Sequence, residues 1–253
     1  MKKIIFLAAF IASPSYAITN LEFARANAQQ KPLYGELEFS MSGEQGNKES
    51  QKTETGGVLS FSDEKNHYMA IAEHVWQERD DEVYKNQGFL HLRYTRTLSK
   101  TETGSDNFEM FVQGRRDKFL DLESRRLAGA GYRKRFYKAD AKYSNAFGAG
   151  VFYEREEATD NLDNEKNNDW RFNAYWHFKS TAVDRLTIEN VLYLQPSLKS
   201  SDDYRIHDEI RATNHFTKHF SVGFSVVYSY DSAPLGDIEN YDLSYGSFVK
   251  YVF

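Results

Sequence analysis

From Tyr241 to Phe253 the odd positions are large and apolar with one exception, Ser247: Tyr241, Leu243, Tyr245, Val249, Tyr251 and Phe253. The even positions carry the polar groups Asp242, Ser244, Gly246 and Lys250. Successive side chains of a strand point to opposite faces, so this pattern builds one apolar and one polar face. The apolar face must lie against something. In a soluble protein that is a second layer. In an outer-membrane barrel it is lipid, and the closing strand there ends on an aromatic residue, as this sequence does at Phe253. Tyr245, Val249, Tyr251 and Phe253 therefore read as an assembly signal for the barrel-assembly machinery.

The same alternation recurs about every 20 residues, in about twelve segments. Leu33, Gly35, Leu37, Phe39 and Met41 share one face. So do Leu90, Leu92 and Tyr94, with His91, Arg93 and Thr95 opposite. Trp170, Phe172, Ala174, Trp176 and Phe178 form the most apolar stripe, against Arg171, Asn173 and His177. The segment Tyr68 to Gln77 is apolar on both faces, and its orientation stays open. Connections tend to alternate long and short, as long external loops and short periplasmic turns do. Glu44 to Lys52, Glu78 to Gln87, Ala158 to Asp169 and Asp231 to Asn240 read as long. Asp63 to Asn66, Ser180 to Asp184 and Thr217 to His219 read as short, while Lys100 to Asn107 and Lys138 to Ser144 are not tight.

These observations predict an all-β chain forming a closed antiparallel transmembrane β-barrel of about 12 strands, with both termini periplasmic. Lipid offers no hydrogen bonds, so a spanning sheet must close on itself. The competing architecture is a soluble periplasmic β-sandwich or lipocalin-like barrel. It would turn its apolar faces inward, yet here the polar faces hold Arg, Glu and His in mid-strand.

The start of the sequence sets the compartment. Lys2 and Lys3 precede an apolar run from Ile4 to Ile11, and Ser15-Tyr16-Ala17 offers a cleavage site. Residues 1–17 read as a signal peptide, and 18–253 as the outer-membrane domain. Ile18 to Lys31 is polar and reads as a periplasmic tail. The absence of cysteine excludes a disulfide framework, thiolate metal sites and cysteine nucleophiles. A net charge of −5, about −7 without Lys2 and Lys3, argues against nucleic-acid binding. The expected partners are outer-membrane lipid and lipopolysaccharide, and the chain is expected to be a monomer.

Four stretches carry a family resemblance: Gly46-Asn47, Arg125 to Arg133 with its alternating glycines, Gly148-Ala149-Gly150-Val151-Phe152-Tyr153-Glu154, and Tyr230-Asp231-Ser232-Ala233-Pro234 through Phe253. On them the chain resembles the YdiY-like family of salt-induced outer-membrane proteins, which are classed mainly as proteins of unknown function. The resemblance covers most of the mature chain. It implies an outer-membrane location and a response to salt stress. It implies no transport substrate and no catalytic residue.

The polar faces concentrate Arg115, Arg133, Arg135, Arg171, Arg205 and Arg211, with Glu109, Glu154, Glu156 and Glu209. These are the candidate lumen-lining residues. Rings of charge set selectivity in a pore, so one reading is a sieve for small anionic solutes. The other is a plugged lumen whose Arg and Glu satisfy one another. A bore of about twelve strands lies between filled and open barrels, so geometry leaves both readings standing. The sequence thus points to an envelope protein with an osmotic role, open or plugged, passing small charged solutes if open.

Seven histidines raise the alternative of an outer-membrane lipid hydrolase with a Ser/His site. His177 and His207 face the polar side, and His215 and His219 fall in a turn, with no Ser-His-acid spacing. A soluble periplasmic β-barrel binding protein is the further alternative. No enzyme, cofactor or metal is expected. His67, His74 and His91 lack ligand spacing, and the acidic stretch of Asp160, Asp163, Glu165 and Asp169 lacks the order of a calcium loop. Gly129-x-Gly131 and Gly148-x-Gly150 lie inside strands, where glycine allows curvature or close packing rather than phosphate binding.

Overall fold

The computed structural model describes residues 25, 32–44, 50–80, 82–118, 122–137, 142–158, 166–217, 220–234 and 239–251. The expected signal peptide and Phe253 lie outside the described residues. Twelve strands follow one another along the chain: β1 (Leu33–Glu44), β2 (Ser50–Ser62), β3 (Asn66–Arg79), β4 (Glu82–Thr101), β5 (Gly104–Asp117), β6 (Leu122–Phe136), β7 (Tyr143–Ala158), β8 (Lys166–Val183), β9 (Leu186–Pro196), β10 (Tyr204–His215), β11 (Phe220–Asp231) and β12 (Tyr241–Tyr251). They form one antiparallel sheet in sequence order, so every connection is a hairpin. Among the described residues β1 pairs with β2, β12 pairs with β11, and no ladder joins β1 to β12.

The sheet is curled. Tyr175 on β8 donates its hydroxyl to Glu109 on β5 at 3.1 Å. Arg205 on β10 reaches Glu154 on β7 at 2.9 Å. Each contact skips two intervening strands, a distance of about 14 Å measured along a flat sheet. Only strong curvature lets such pairs touch, and the residues that touch define the inner face. Glycines on β6 and β7 make room for it. A Cβ on Gly148 would fall 1.9 Å from the ring of Tyr175, and one on Gly131 would stand 2.8 Å from the Ala149 carbonyl oxygen.

Burial is inverted relative to a soluble protein. Among the described residues, 27 buried side chains are polar or charged and 11 are hydrophobic, while 33 large hydrophobics are exposed. The exposed set includes Leu33, Leu37, Phe39 and Met41 on β1, Leu90 and Leu92 on β4, and Trp170 and Phe172 on β8. Strand β3, left open by the sequence, turns Met69 and Ile71 inward against Phe89, with Tyr34 and Val58 beside them. Tyr68 points outward against Tyr94.

Several connections differ from the sequence reading. Glu78 to Gln87 is not a long loop, because β3 and β4 pair out to Arg79 with Glu82 and turn at Asp80, whose φ is 51°. Lys100 to Asn107 is also strand up to Thr101 and from Gly104, which leaves a two-residue turn. Strand β8 continues to Val183, so Ser180 to Asp184 shrinks to a turn at Asp184-Arg185. Asp169 belongs to β8 and His215 to β10 rather than to connections. Polar stretches at strand ends look like loops because no apolar face is needed where both sides of a strand meet water.

Candidate functional site

Two ionic clusters occupy the inner face. The first lies toward the end of the sheet that carries the connections after β1, β3, β5, β7, β9 and β11, here called the loop end. It is built around Glu154, which is fully buried on β7. Alternation along β7 points Phe152, Glu154 and Glu156 inward and Val151 and Tyr153 outward. Arg125 on β6 donates to Glu154 Oε2 from Nη2 at 2.7 Å and from Nε at 3.1 Å. Its Nε also stands 2.9 Å from Glu156 Oε1. Arg171 on β8 donates from Nε to Glu154 Oε1, from Nη2 to Asp203 Oδ2 at 2.8 Å, and from Nη1 to the Gln195 carbonyl at 3.3 Å. Arg205 on β10 donates from Nη1 to both Glu154 oxygens at 2.9 Å, from Nη2 to Glu156 Oε2 at 2.8 Å, and from Nε to Asp231 Oδ2 at 2.7 Å.

The second cluster centres on Glu109. Arg25 Nη2 stands 2.8 Å from its Oε1, and Arg93 Nη1 donates to Oε2 at 3.4 Å. The Tyr175 hydroxyl donates to Oε2 as well. His91 joins through its Nε2, which accepts from Arg93 Nε at 3.2 Å, while its Nδ1 lies 3.1 Å from Gln113 Oε1. Arg25 comes from the stretch read as a periplasmic tail, and its side chain is buried against Glu109. Beside this cluster a cavity of about 20 Å³, lined by Arg93, Glu109, Phe111, Gly131, Gly150 and Tyr175 among others, has room for about one water molecule.

The remaining candidates are scattered. Arg115 pairs with Asp117 at 3.1 Å, and Arg211 with Glu209 at 3.1 Å. Arg133 is buried, and Arg135 lies with its guanidinium 5.2 Å from the Tyr137 ring centre. Tyr245 is exposed and opposite Val226. Val249 and Tyr251 pair through their backbones with Val222 and Phe220. The sequence reading missed Arg25, Arg125, Asp117, Asp203, Asp231 and Tyr175. Arg125 and Asp231 stood inside quoted motifs, and the odd-numbered register of Arg133 and Leu127 was the signal that would have placed Arg125 inward.

The chemistry available here is ion pairing across an interior. His207 Nδ1 lies 2.9 Å from Ser229 Oγ, but both residues are buried and His207 Nε2 has no hydrogen-bond partner, so no acid completes a triad. His215 lies between Ser221 and Thr187, at 2.9 and 3.0 Å. Among the described residues no three His, Asp or Glu side chains are arranged to hold a metal ion.

Residues 37–253 match a family described as "Protein of unknown function, DUF481". No curated protein matches the chain. Two solved structures are similar to it. The NanC porin, in a rhombohedral crystal form, has a TM-score of 0.46 at 12% identity, over 87% of this chain and 100% of that one. The translocator domain of the autotransporter NalP from Neisseria meningitidis has a TM-score of 0.45 at 9% identity, over 92% of this chain and 93% of that one.

Proposed function

This chain belongs to the DUF481 family of proteins of unknown function, and we propose that it is an outer-membrane β-barrel of the salt-induced, YdiY-like type. Its β1 and β12 edges close on each other, and its narrow interior admits only small charged solutes. The observation that carries this reading is the inverted burial: large apolar side chains outside, paired Arg and Glu inside. Water around the outer face would leave 33 large hydrophobics exposed, far beyond the patches that soluble monomers tolerate. Hydrocarbon removes that cost. Strands of 11 to 20 residues meet or exceed the 9 to 11 or so that a tilted strand needs to cross the bilayer. In lipid every backbone polar group must pair, which requires the last strand to join the first. In this reading the role is non-enzymatic: His207 and Ser229 are buried, and His207 Nε2 meets no hydrogen-bonding acid.

The test has two arms. The native protein should sediment with outer-membrane vesicles and resist carbonate extraction; recovery in the soluble periplasmic fraction would end the membrane reading. The purified protein in planar bilayers should then give small, resolved current steps. A flat baseline would remove the conduit and leave a structural envelope role.

A further inference from the structure

The charge of the loop-end cluster does not balance. The guanidiniums of Arg125, Arg171 and Arg205 face the carboxylates of Glu154, Glu156, Asp169, Asp203 and Asp231. Two negative charges remain in excess, and Lys199, mostly exposed, offsets part of one from 3.8 Å. The excess is located. Asp169 is 2% exposed, yet neither of its oxygens receives a hydrogen bond. Its Oδ2 stands 3.9 Å from Arg171 Nε and its Oδ1 3.8 Å from Lys199 Nζ, both beyond hydrogen-bond reach. Asp203 accepts from Nη2 of the same guanidinium through Oδ2 at 2.8 Å, and its Oδ1 is buried without a donor. Two carboxylates thus share one arginine, and three of their four oxygens have no hydrogen-bond donor. Burying carboxylate oxygens without hydrogen-bond donors is expensive even beside distant counter-charges, and such oxygens call for a closer cation.

We propose that Asp169 and Asp203 hold a monovalent cation, an alkali ion or ammonium, at the loop end of the interior. An anion is disfavoured by the carboxylate excess. A chelated divalent ion is disfavoured because, among the described residues, no three His, Asp or Glu side chains are grouped to complete its shell. The ammonium of Lys199, which donates to the Asn168 carbonyl, stands beside the site and competes with a free cation. The site holds whether or not the barrel conducts, because it rests on the inner-face geometry alone.

The experiment follows the unfolding temperature of the full protein in uncharged detergent, at a fixed ionic strength of about 0.15 M, so that screening is constant. Potassium, sodium and ammonium chloride are compared with N-methylglucamine chloride, whose cation is too large for the cluster. Small cations should raise the unfolding temperature, and Asp169→Asn should abolish the difference between salts. Lys199→Ala should leave folding intact and lower the half-saturating cation concentration about two- to fivefold, the weight of one partly exposed ion pair. Equal unfolding temperatures in all salts would overturn the proposal, as would an unchanged salt response in both variants. If Asp169→Asn does not fold, the Lys199→Ala titration decides alone. A response to magnesium or calcium but to no monovalent ion would also overturn it.

Discussion

Replacing Glu154 by glutamine should be one of the most damaging isosteric changes in the molecule. The side chain keeps its shape, but its carboxylate is the acceptor shared by Arg125, Arg171 and Arg205. A hydrogen bond to a charged group contributes about 1.5–3 kcal/mol, and stripping one partner from a buried ion pair costs about 3–5 kcal/mol. Three pairs do not sum to three times that figure here. Arg205 keeps Glu156 and Asp231, and Arg171 keeps Asp203, so each guanidinium loses only its central partner. Arg125 keeps Glu156. The glutamine oxygen still accepts, while its amide nitrogen faces a guanidinium and repels it. The expected loss is about 3 kcal/mol, at the lower end of the range for a broken buried pair. Equilibrium urea unfolding in detergent micelles, followed by tryptophan fluorescence, measures it. A double-mutant cycle with Arg205→Gln should return a coupling of about 1–3 kcal/mol. A Glu154→Gln variant within about 1 kcal/mol of the parent, or a cycle that sums additively, would show that the inner cluster has no direct energetic weight.

Other substitutions test other parts of the account. Gly148→Ala places a methyl in the Tyr175 ring and should cost about 1–3 kcal/mol in the same unfolding assay; a second change, Tyr175→Ala, should make Gly148→Ala nearly neutral. Arginine at Leu92, outward in the middle of β4, should cost about 2–4 kcal/mol in lipid vesicles, whereas arginine at Leu98, near the turn, should cost about 1 or less; equal costs would mean that no hydrocarbon surrounds the sheet. In the β2–β3 turn, Asp63 accepts from the Asn66 side chain at 3.0 Å and from the Lys65 and Asn66 amides, which hold its carboxyl below the ordinary value. A depressed folded value means that its contribution to the turn is present above about pH 4 and is lost as pH falls through the folded value. Asn66→Ala should therefore raise the Asp63 titration seen by carboxyl-carbon NMR, and an unshifted curve would refute the assignment.

Which face of a strand is apolar was legible residue by residue, because alternation is a local property. The stripe from Trp170 to Phe178 and the row Arg205, His207, Glu209 lie on the faces their parity gives them. Strand β3 escaped because Met69 and Ile71 belong to a small apolar patch on the inner face, which erases the contrast between its two sides. Alternation says nothing about partners. Glu154 and Arg205 are 51 residues apart, and their meeting depends on the curvature and stagger of the whole sheet. Tyr175 and Glu109 are 66 apart and meet for the same reason.

The largest misreading came from the strand ends. An inner face counted over mid-strand positions is rich in arginine and reads as basic. The carboxylates that answer those arginines, Asp169, Asp203 and Asp231, sit at or next to strand ends, in polar stretches that read as solvated loops. Extending β8 back to Lys166 brings Asp169 inside, and the hairpin after β9 folds Asp203 onto Arg171. A shift of a few residues in a boundary thus reverses the sign of charge of the loop-end cluster, counted over the described residues. The arginines there act first as cross-struts between carboxylates, and any ion that enters at that end meets a surplus of acid. Selectivity in bilayers should accordingly favour cations: a potassium chloride gradient of about tenfold should give a reversal potential of the cation-selective sign, and an anion-selective sign would show that the arginines, not Asp169 and Asp203, face the permeating ion.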